Sequence, residues 1–195
     1  MALFNTQDLK VIGLQVVQRS NYKTSESALE KNFKEFSQTK NYDVFLSHSF
    51  RDAQVILGLK TEIESLGYSI YIDWVEDSQL DRSRVTKETA QILKQRMGKC
   101  KCLFFATSIN SPTSSWMPWE LGYFDGCNGK VAILPITSVP TKGDSYKGQE
   151  YLGLYYYVTK TLDNTKKPKL WINQEANNYV LFNDWLTGTS PSLHN

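Results

Sequence analysis

Cysteine and histidine are scarce in this chain: Cys100, Cys102, Cys127, His48 and His194 are all it has among 195 residues. An odd set of thiols is no disulfide framework, and a Cys/His metal site would have to recruit nearly every one of these side chains. A disulfide-held secreted scaffold and zinc chemistry are therefore set aside, and the cysteines read as small apolar residues, buried or partly buried. An excess of one charge is lacking too. The 22 basic and 20 acidic residues leave a net +2 with no basic arm, which argues against nucleic acid or an anionic membrane as the main partner. No apolar run approaches the roughly 20 residues that span a bilayer, and no charged leader precedes an apolar segment at the N-terminus. The expectation is a cytoplasmic protein in a reducing compartment, with no membrane and no nucleic acid among its partners. Also missing are G-x-G-x-x-G, G-x-x-x-x-G-K-S/T and G-x-S-x-G, so a Rossmann redox enzyme, a P-loop NTPase and a serine hydrolase have no support. What remains is an ordinary globular composition, 41% hydrophobic and 13% aromatic, in a chain long enough for one principal core.

From Asn41 the hydrophobic pattern becomes regular. Tyr42-Asp43-Val44-Phe45-Leu46-Ser47 predicts a buried strand, and Val55, Ile56, Leu59, Ile63 and Leu66 mark one face of a helix that stops at Gly67. Tyr68-Ser69-Ile70-Tyr71-Ile72 predicts a second strand, and Val85, Thr89, Ile92, Leu93 and Met97 a second helix, closed by Gly98. A third strand covers 100–107, and a loop with Pro112 leads to a helix around 119–125, ended by Gly126 and Gly129. Val131-Ala132-Ile133-Leu134 follows as a fourth strand. This β-α-β-α-β-α-β order predicts a mostly parallel sheet with helices on both faces, because parallel neighbours need right-handed crossover connections. Residues 1–40 read as a partly helical N-terminal extension: Ser27-Ala28-Leu29-Glu30 has the form of a capping box, Leu29, Phe33 and Phe36 follow at helical spacing, and 9–17 fits both helical and strand periods. Residues 141–195 read as a C-terminal extension packed on the same domain, with 151–158 extended and Tyr179, Phe182, Trp185 and Leu186 in a terminal helix.

In an open parallel sheet, ligands bind beyond the carboxyl ends of the strands where the strand order reverses. That rule selects Ser47-His48-Ser49-Phe50-Arg51-Asp52, Asp73-Trp74-Val75-Glu76-Asp77 and residues 107–120. Taken alone, Glu120 has two readings: a complement to a helix dipole, worth about 0.3–1 kcal/mol, or a reactive carboxylate. Taken alone, Trp116 and Trp119 read more often as packing anchors for the third helix than as flat platforms for a ligand, and His48 more often as a satisfied surface or core histidine than as a site-lining one.

Two of these segments carry a family likeness. Tyr42-Asp43-Val44-Phe45-Leu46-Ser47-His48-Ser49 resembles the first sequence box of the TIR (Toll/interleukin-1 receptor) domain family. Ser115-Trp116-Met117-Pro118-Trp119-Glu120-Leu121 resembles its box of Ser, Trp, a variable pair and Glu-Leu opening the third helix, and Asp73 stands where the family has an aspartate closing the second strand. The likeness covers about 41–136. Met117 stands where a cysteine is common, and the loop after the second strand lacks the glycine typical of receptor-type members, which points away from receptor-style signalling.

The resemblance implies a flavodoxin-like α/β fold for 41–140 and an NAD-consuming enzyme of the bacterial kind. Such enzymes include the TIR subunit of Thoeris anti-phage systems, which turns NAD into an ADP-ribose-derived signal. NAD would be a substrate, with no cofactor. Glu120 falls on the catalytic glutamate of the enzymatic members, and Phe45, Ser47, His48, Phe50, Arg51, Asp73, Trp74, Trp116 and Trp119 are the expected substrate-binding residues. A homo-oligomer and a downstream effector that senses the nucleotide product are implied as well. The alternative is a non-catalytic interaction module working through the loops after the second and third strands. An enzyme is expected to hold Glu120 in an open cleft near Ser47 and Asp73, whereas a module is free to bury it.

Overall fold

The computed structural model describes residues 2–20, 22–34, 41–72, 86–138, 145–148 and 150–194, with 30–34 described by their backbone alone. The expected packing of Phe33 and Phe36, and the place of Val85, lie outside the described residues. In chain order the elements are β1 (Phe4–Asn5), α1 (Thr6–Arg19), α2 (Ser25–Lys34), β2 (Tyr42–Ser47), α3 (Ala53–Ser65), β3 (Ile70–Ile72), α4 (Lys87–Met97) and β4 (Cys100–Thr107). They continue with α5 (Trp116–Asn128), β5 (Val131–Thr137), β6 (Tyr156–Leu162), β7 (Pro168–Glu175), β8 (Asn178–Leu181), α6 (Phe182–Leu186) and β9 (Ser192–Leu193).

The central strands are apolar along nearly their whole length, as a sheet covered on both faces requires. Successive side chains alternate between two cores. Val44, Leu46, Phe104, Ala106 and Leu134 face the core shared with α1, α2, α3 and α6, while Phe45, Leu103, Phe105, Val131 and Ile133 face α4 and α5. The sheet runs in the order β3-β2-β4-β5-β6-β7-β8-β9. It is parallel from β3 through β6 and antiparallel from β6 to β9. The parallel part, in which the second strand of the series lies outside the first and the third on its other side, is the flavodoxin-like order.

Both ends of the chain join this sheet. β6 pairs with β5 at Ala132 and Ile133, and β1 takes the same strand further along, pairing Phe4 with Ile136 and Asn5 with Thr137. The segment 9–17 resolves as the middle of α1, whose first turn is capped by the Asn5 side chain accepting from the N–H groups of Gln7 and Asp8. α1 crosses α3 at two glycines. A Cβ on Gly13 would lie 2.3 Å from the carbonyl oxygen of Gln54, and one on Gly58 only 2.0 Å from that of Leu9. The reciprocal cap of α2 forms between Thr24 and Ser27, three residues upstream of the expected box, with each side chain accepting from the other residue's N–H.

The C-terminal part differs from expectation in detail. Residues 150–154 form a short 3-10 turn before β6 begins, and the expected terminal helix is divided into β8, through Leu181, and the short α6, which buries Phe182 and Trp185. Tyr179 belongs to β8, where its ring stacks on His194 with centroids 4.0 Å apart.

Asp43 ties three strands together near the start of β2. Its Oδ2 accepts from the Ser69 N–H at 2.8 Å and the Ser69 hydroxyl at 2.9 Å, and its Oδ1 accepts from Lys101 Nζ at 2.7 Å. Burial pushes this carboxyl up, but the hydrogen bonds from Lys101 and Ser69 outweigh burial and hold it below the usual carboxylate range. The folded-state value therefore lies under the unfolded one, so the stabilisation is fully present above about pH 4 and is lost as pH falls through the folded value. Asp43→Asn should cost about 1–2 kcal/mol at neutral pH and flatten this part of the acid dependence, read from denaturant titrations between about pH 3 and pH 7.

Cys100 and Cys102 are buried in β4, and burial pushes both thiols well above the usual range. Cys127, expected to be at least partly buried, is exposed near the end of α5, just before the chain enters β5. A thiol reagent should label Cys127 alone in the native protein and all three after unfolding, counted by intact mass.

Candidate functional site

The strand order reverses between β2 and β4, and the crevice beyond their carboxyl ends is where such a sheet binds ligands. Ser47 is the last residue of β2. After β4 the chain passes through a 3-10 turn, Ser111–Thr113, and enters α5 at Trp116. The buried residues of α5 are Trp116, Met117, Glu120, Leu121 and Phe124, one face at helical spacing. Glu120 lies four residues after Trp116 and four before Phe124, so the period that packs those rings also carries its carboxylate inward. There the Ser47 hydroxyl donates to Glu120 Oε2 at 2.6 Å.

Glu120 is 0% exposed. The open cleft expected around it is thus replaced by an enclosed site, and the cause is this helical spacing: a residue one turn from each of two buried rings shares their burial. His48 follows Ser47 and is also buried, with Nδ1 2.9 Å from the Leu46 carbonyl oxygen. A carbonyl only accepts, so Nδ1 carries the proton.

The other expected residues fall in different settings. Trp116 is buried, edge-on to Trp119 at 5.4 Å, and Trp119 in turn stacks on Tyr123 at 5.5 Å, so both indoles pack α5. Phe45 is wholly buried against Tyr71, at 5.5 Å between ring centroids. Phe50 and Arg51 sit on the surface in a 3-10 turn between β2 and α3. Asp73 and Trp74 lie outside the described residues.

Beyond the ends of β4 and β5 is a cavity of about 320 Å³, lined among others by Lys10, Arg51, Asp52, Ser108, Asn110 and Ser138. Glu120 is not in its lining. Asp52, Ser108 and Asn110 were within the segments the strand-end rule selected, yet nothing in the sequence singled them out. Tyr146, from the C-terminal part of the chain, is not in that lining; it hydrogen-bonds Thr107 at the end of β4, and burial pushes its phenol up. Among the described residues no cluster of three metal-ligating side chains forms, and no helix is long and apolar enough to cross a membrane.

A parallel sheet whose strand order reverses, with Glu120 on the helix that follows its third strand, is the arrangement expected from the TIR resemblance. No protein-family model matches the chain. Over 191 residues, however, it is 53% identical to a Bacillus cereus (strain MSX-D12) protein named "Probable 3′ cyclic ADP-D-ribose synthase ThsB′", the match covering 95% of this chain and 98% of that one. It is also 41% identical over 85 residues to "Putative cyclic ADP-D-ribose synthase TIR2" of Cytobacillus dafuensis, a match to 43% of this chain and 22% of that longer protein. The chain belongs to the bacterial TIR family, on the side of ThsB′.

Proposed function

We propose that this chain cleaves the nicotinamide–ribose bond of NAD and closes the remaining ADP-ribose on itself, releasing a cyclic nucleotide signal in antiviral defence of the Thoeris type. One observation carries the reading: the chain is 53% identical to a protein named as a cyclic ADP-ribose synthase, with Glu120 held by Ser47 at the strand-order reversal.

The chemistry needs little from the protein beyond charge and position. Nicotinamide departs with the electron pair of the ribose C1–N bond and leaves neutral, so no general acid has to protonate it, unlike the leaving group of a two-carboxylate glycosidase. Positive charge then develops at C1. The Glu120 carboxylate stabilises that charge more in the transition state than in the ground state, and its dry surroundings strengthen the effect. Ser47 fixes one carboxylate oxygen. A hydroxyl of the same dinucleotide attacks C1 and gives up its proton, so the products are nicotinamide, cyclic ADP-ribose and a proton, with no water consumed. Capture by water instead gives linear ADP-ribose. The relative's name suggests ring closure at a 3′ position here too.

In this reading Arg51, which lines the cavity beyond β4 and β5, supplies the cation for a phosphate of the dinucleotide. Phe45, His48, Phe50, Asp73, Trp74, Trp116 and Trp119 are carried into this reading as substrate-binding residues by resemblance. NAD is the substrate and no cofactor takes part. Burial of Glu120 means that NAD reaches it only after the site opens, which fits an enzyme that works as a homo-oligomer in the cytoplasm and signals to a separate effector through its product.

The burial of Glu120 also suits the interaction module, so the two readings need a direct test. Purified protein is incubated with NAD, and nicotinamide and product mass are followed by liquid chromatography and mass spectrometry. Nicotinamide together with a product of ADP-ribose mass less one water is the expected result. No release by the protein alone or after addition of infected-cell lysate overturns the enzyme reading in favour of the module.

A further inference from the structure

Among the described residues the buried acids are Glu120 and Asp52. Each is met by uncharged donors from the opposite side of the strand-order reversal. Ser47, at the end of β2, donates to Glu120 on α5. In the reverse direction Ser108 and Asn110, in the loop after β4, donate to Asp52 at the head of α3: the Ser108 hydroxyl to Oδ2 at 2.5 Å and the Asn110 amide to Oδ1 at 2.6 Å. The two contacts cross the crevice like a pair of straps.

An aspartate at the start of a helix ordinarily turns its carboxylate onto the N–H groups of its own first turn. Asp52 makes no such bond. Both oxygens are committed to a loop 56 and 58 residues away in sequence. That loop is internally tied as well. Ser108 Oγ accepts from the Asn110 N–H, Ser111 Oγ donates to the Ser108 carbonyl, Thr113 Oγ1 donates to the Asn110 carbonyl, and Ser114 Oγ accepts from the Met117 N–H in the first turn of α5. The Ser114 N–H donates to the Ser111 carbonyl at 3.1 Å, so hydrogen bonds run from Asp52 to the first turn of α5, one turn before Glu120.

We propose that Asp52 is a positioning residue: by holding residues 108–114 it sets the entry of α5 and so places the Glu120 carboxylate against Ser47. This rests on the reading of Glu120 as the reactive carboxylate. Misplacing a reacting group by about 1 Å costs on the order of 100-fold in rate, whereas ground-state binding of NAD, spread over many contacts, changes little.

The test compares Asp52→Ala with Asp52→Asn in the full chain. The asparagine side chain keeps an acceptor for Asn110, and its amide can donate to the Ser108 hydroxyl, which both donates and accepts; the strap survives without its charge. Asp52→Ala should lower kcat for nicotinamide release about 30-fold with KM for NAD within about 3-fold, and Asp52→Asn should stay within about 3-fold of the parent in both. Equal loss in the two variants would make the charge itself the active element and overturn the proposal, as would an unaltered kcat in Asp52→Ala.

Hydrogen exchange supplies a readout that does not depend on turnover. Amides of the first turn of α5 should exchange about 10-fold faster in Asp52→Ala and not in Asp52→Asn. Unchanged exchange there overturns the proposal even if the parent protein leaves NAD intact, a result that would count separately against the NAD reading. Should Asp52→Ala fail to fold, Ser108→Ala combined with Asn110→Ala removes the same donors and is judged by the same outcomes.

Discussion

Glu120→Gln is expected to reduce nicotinamide release about 100- to 1,000-fold while leaving the fold intact. Glutamine has the shape of glutamate and can still accept from Ser47, so the substitution removes the charge and little else. A charge held in a fully buried site is where electrostatic stabilisation of a developing cation is largest, because no water screens it. Because the hydrogen bond from Ser47 is kept, Glu120→Gln should stay folded under the assay conditions. Glu120→Ala should be equally inactive but less stable by about 1–3 kcal/mol, since it leaves the Ser47 hydroxyl without this acceptor. Activity lost together with stability retained is the signature of a site residue, and thermal melts beside rate measurements read both.

The largest loss of stability is expected from Gly58→Ala. Its Cβ would lie 2.0 Å from the Leu9 carbonyl oxygen and 2.7 Å from the Leu9 carbonyl carbon. Both are backbone atoms, so no side chain can turn away and α1 has to move. That displaces Leu9, 1% exposed, and Phe4, 3% exposed, from the core they share with α3. Overpacking of this kind costs about 3 kcal/mol, even after the roughly 1 kcal/mol that alanine returns in helix propensity. The melting temperature should fall by about 6–12 °C. Gly126→Ala is the internal control: it lies inside α5 with nothing within 4 Å of the added carbon, and should gain about 0.5–1 kcal/mol.

Gly58 also shows where sequence reading stops. Val55, Ile56, Leu59 and Ile63 mark the sheet-facing side of α3, but Leu57, Gly58 and Lys60 are buried too, because α1 covers a second side. Nothing local announces that partner. Gly13 is a second case: the Gln54 carbonyl oxygen passes 2.3 Å from where its Cβ would be, a contact that the mixed periodicity of 9–17 does not record. The alternating strands β2, β4 and β5 were readable because their pattern is set by burial on both faces, a property of each strand by itself. The tail was harder. Tyr179, Phe182, Trp185 and Leu186 fall at helical spacing, yet Tyr179 pairs across β8 with Asn173, and the buried Leu170 and Ile172 of β7 carried an alternation that pointed to a strand.

The site was legible in part. Ser47 and Glu120 were chosen by the strand-end rule and by resemblance, and their 2.6 Å contact joins residues 73 apart in sequence, which no local pattern records. The enclosure of Glu120 was written in the sequence all the same, in its place midway between Trp116 and Phe124. Asp52 could not be read, since the local expectation for an aspartate at a helix start is a cap, and its two donors come from a distant loop.

The account turns on whether Glu120 drives intramolecular closure of NAD. Parent and Glu120→Gln proteins at equal concentration, supplied with NAD and sampled over time, give the answer by product mass. The account predicts that the parent releases one nicotinamide for each molecule of ADP-ribose mass less one water, and that the variant releases neither. Equal release by the two proteins, or a folded parent that leaves NAD intact with and without infected-cell lysate, would contradict it.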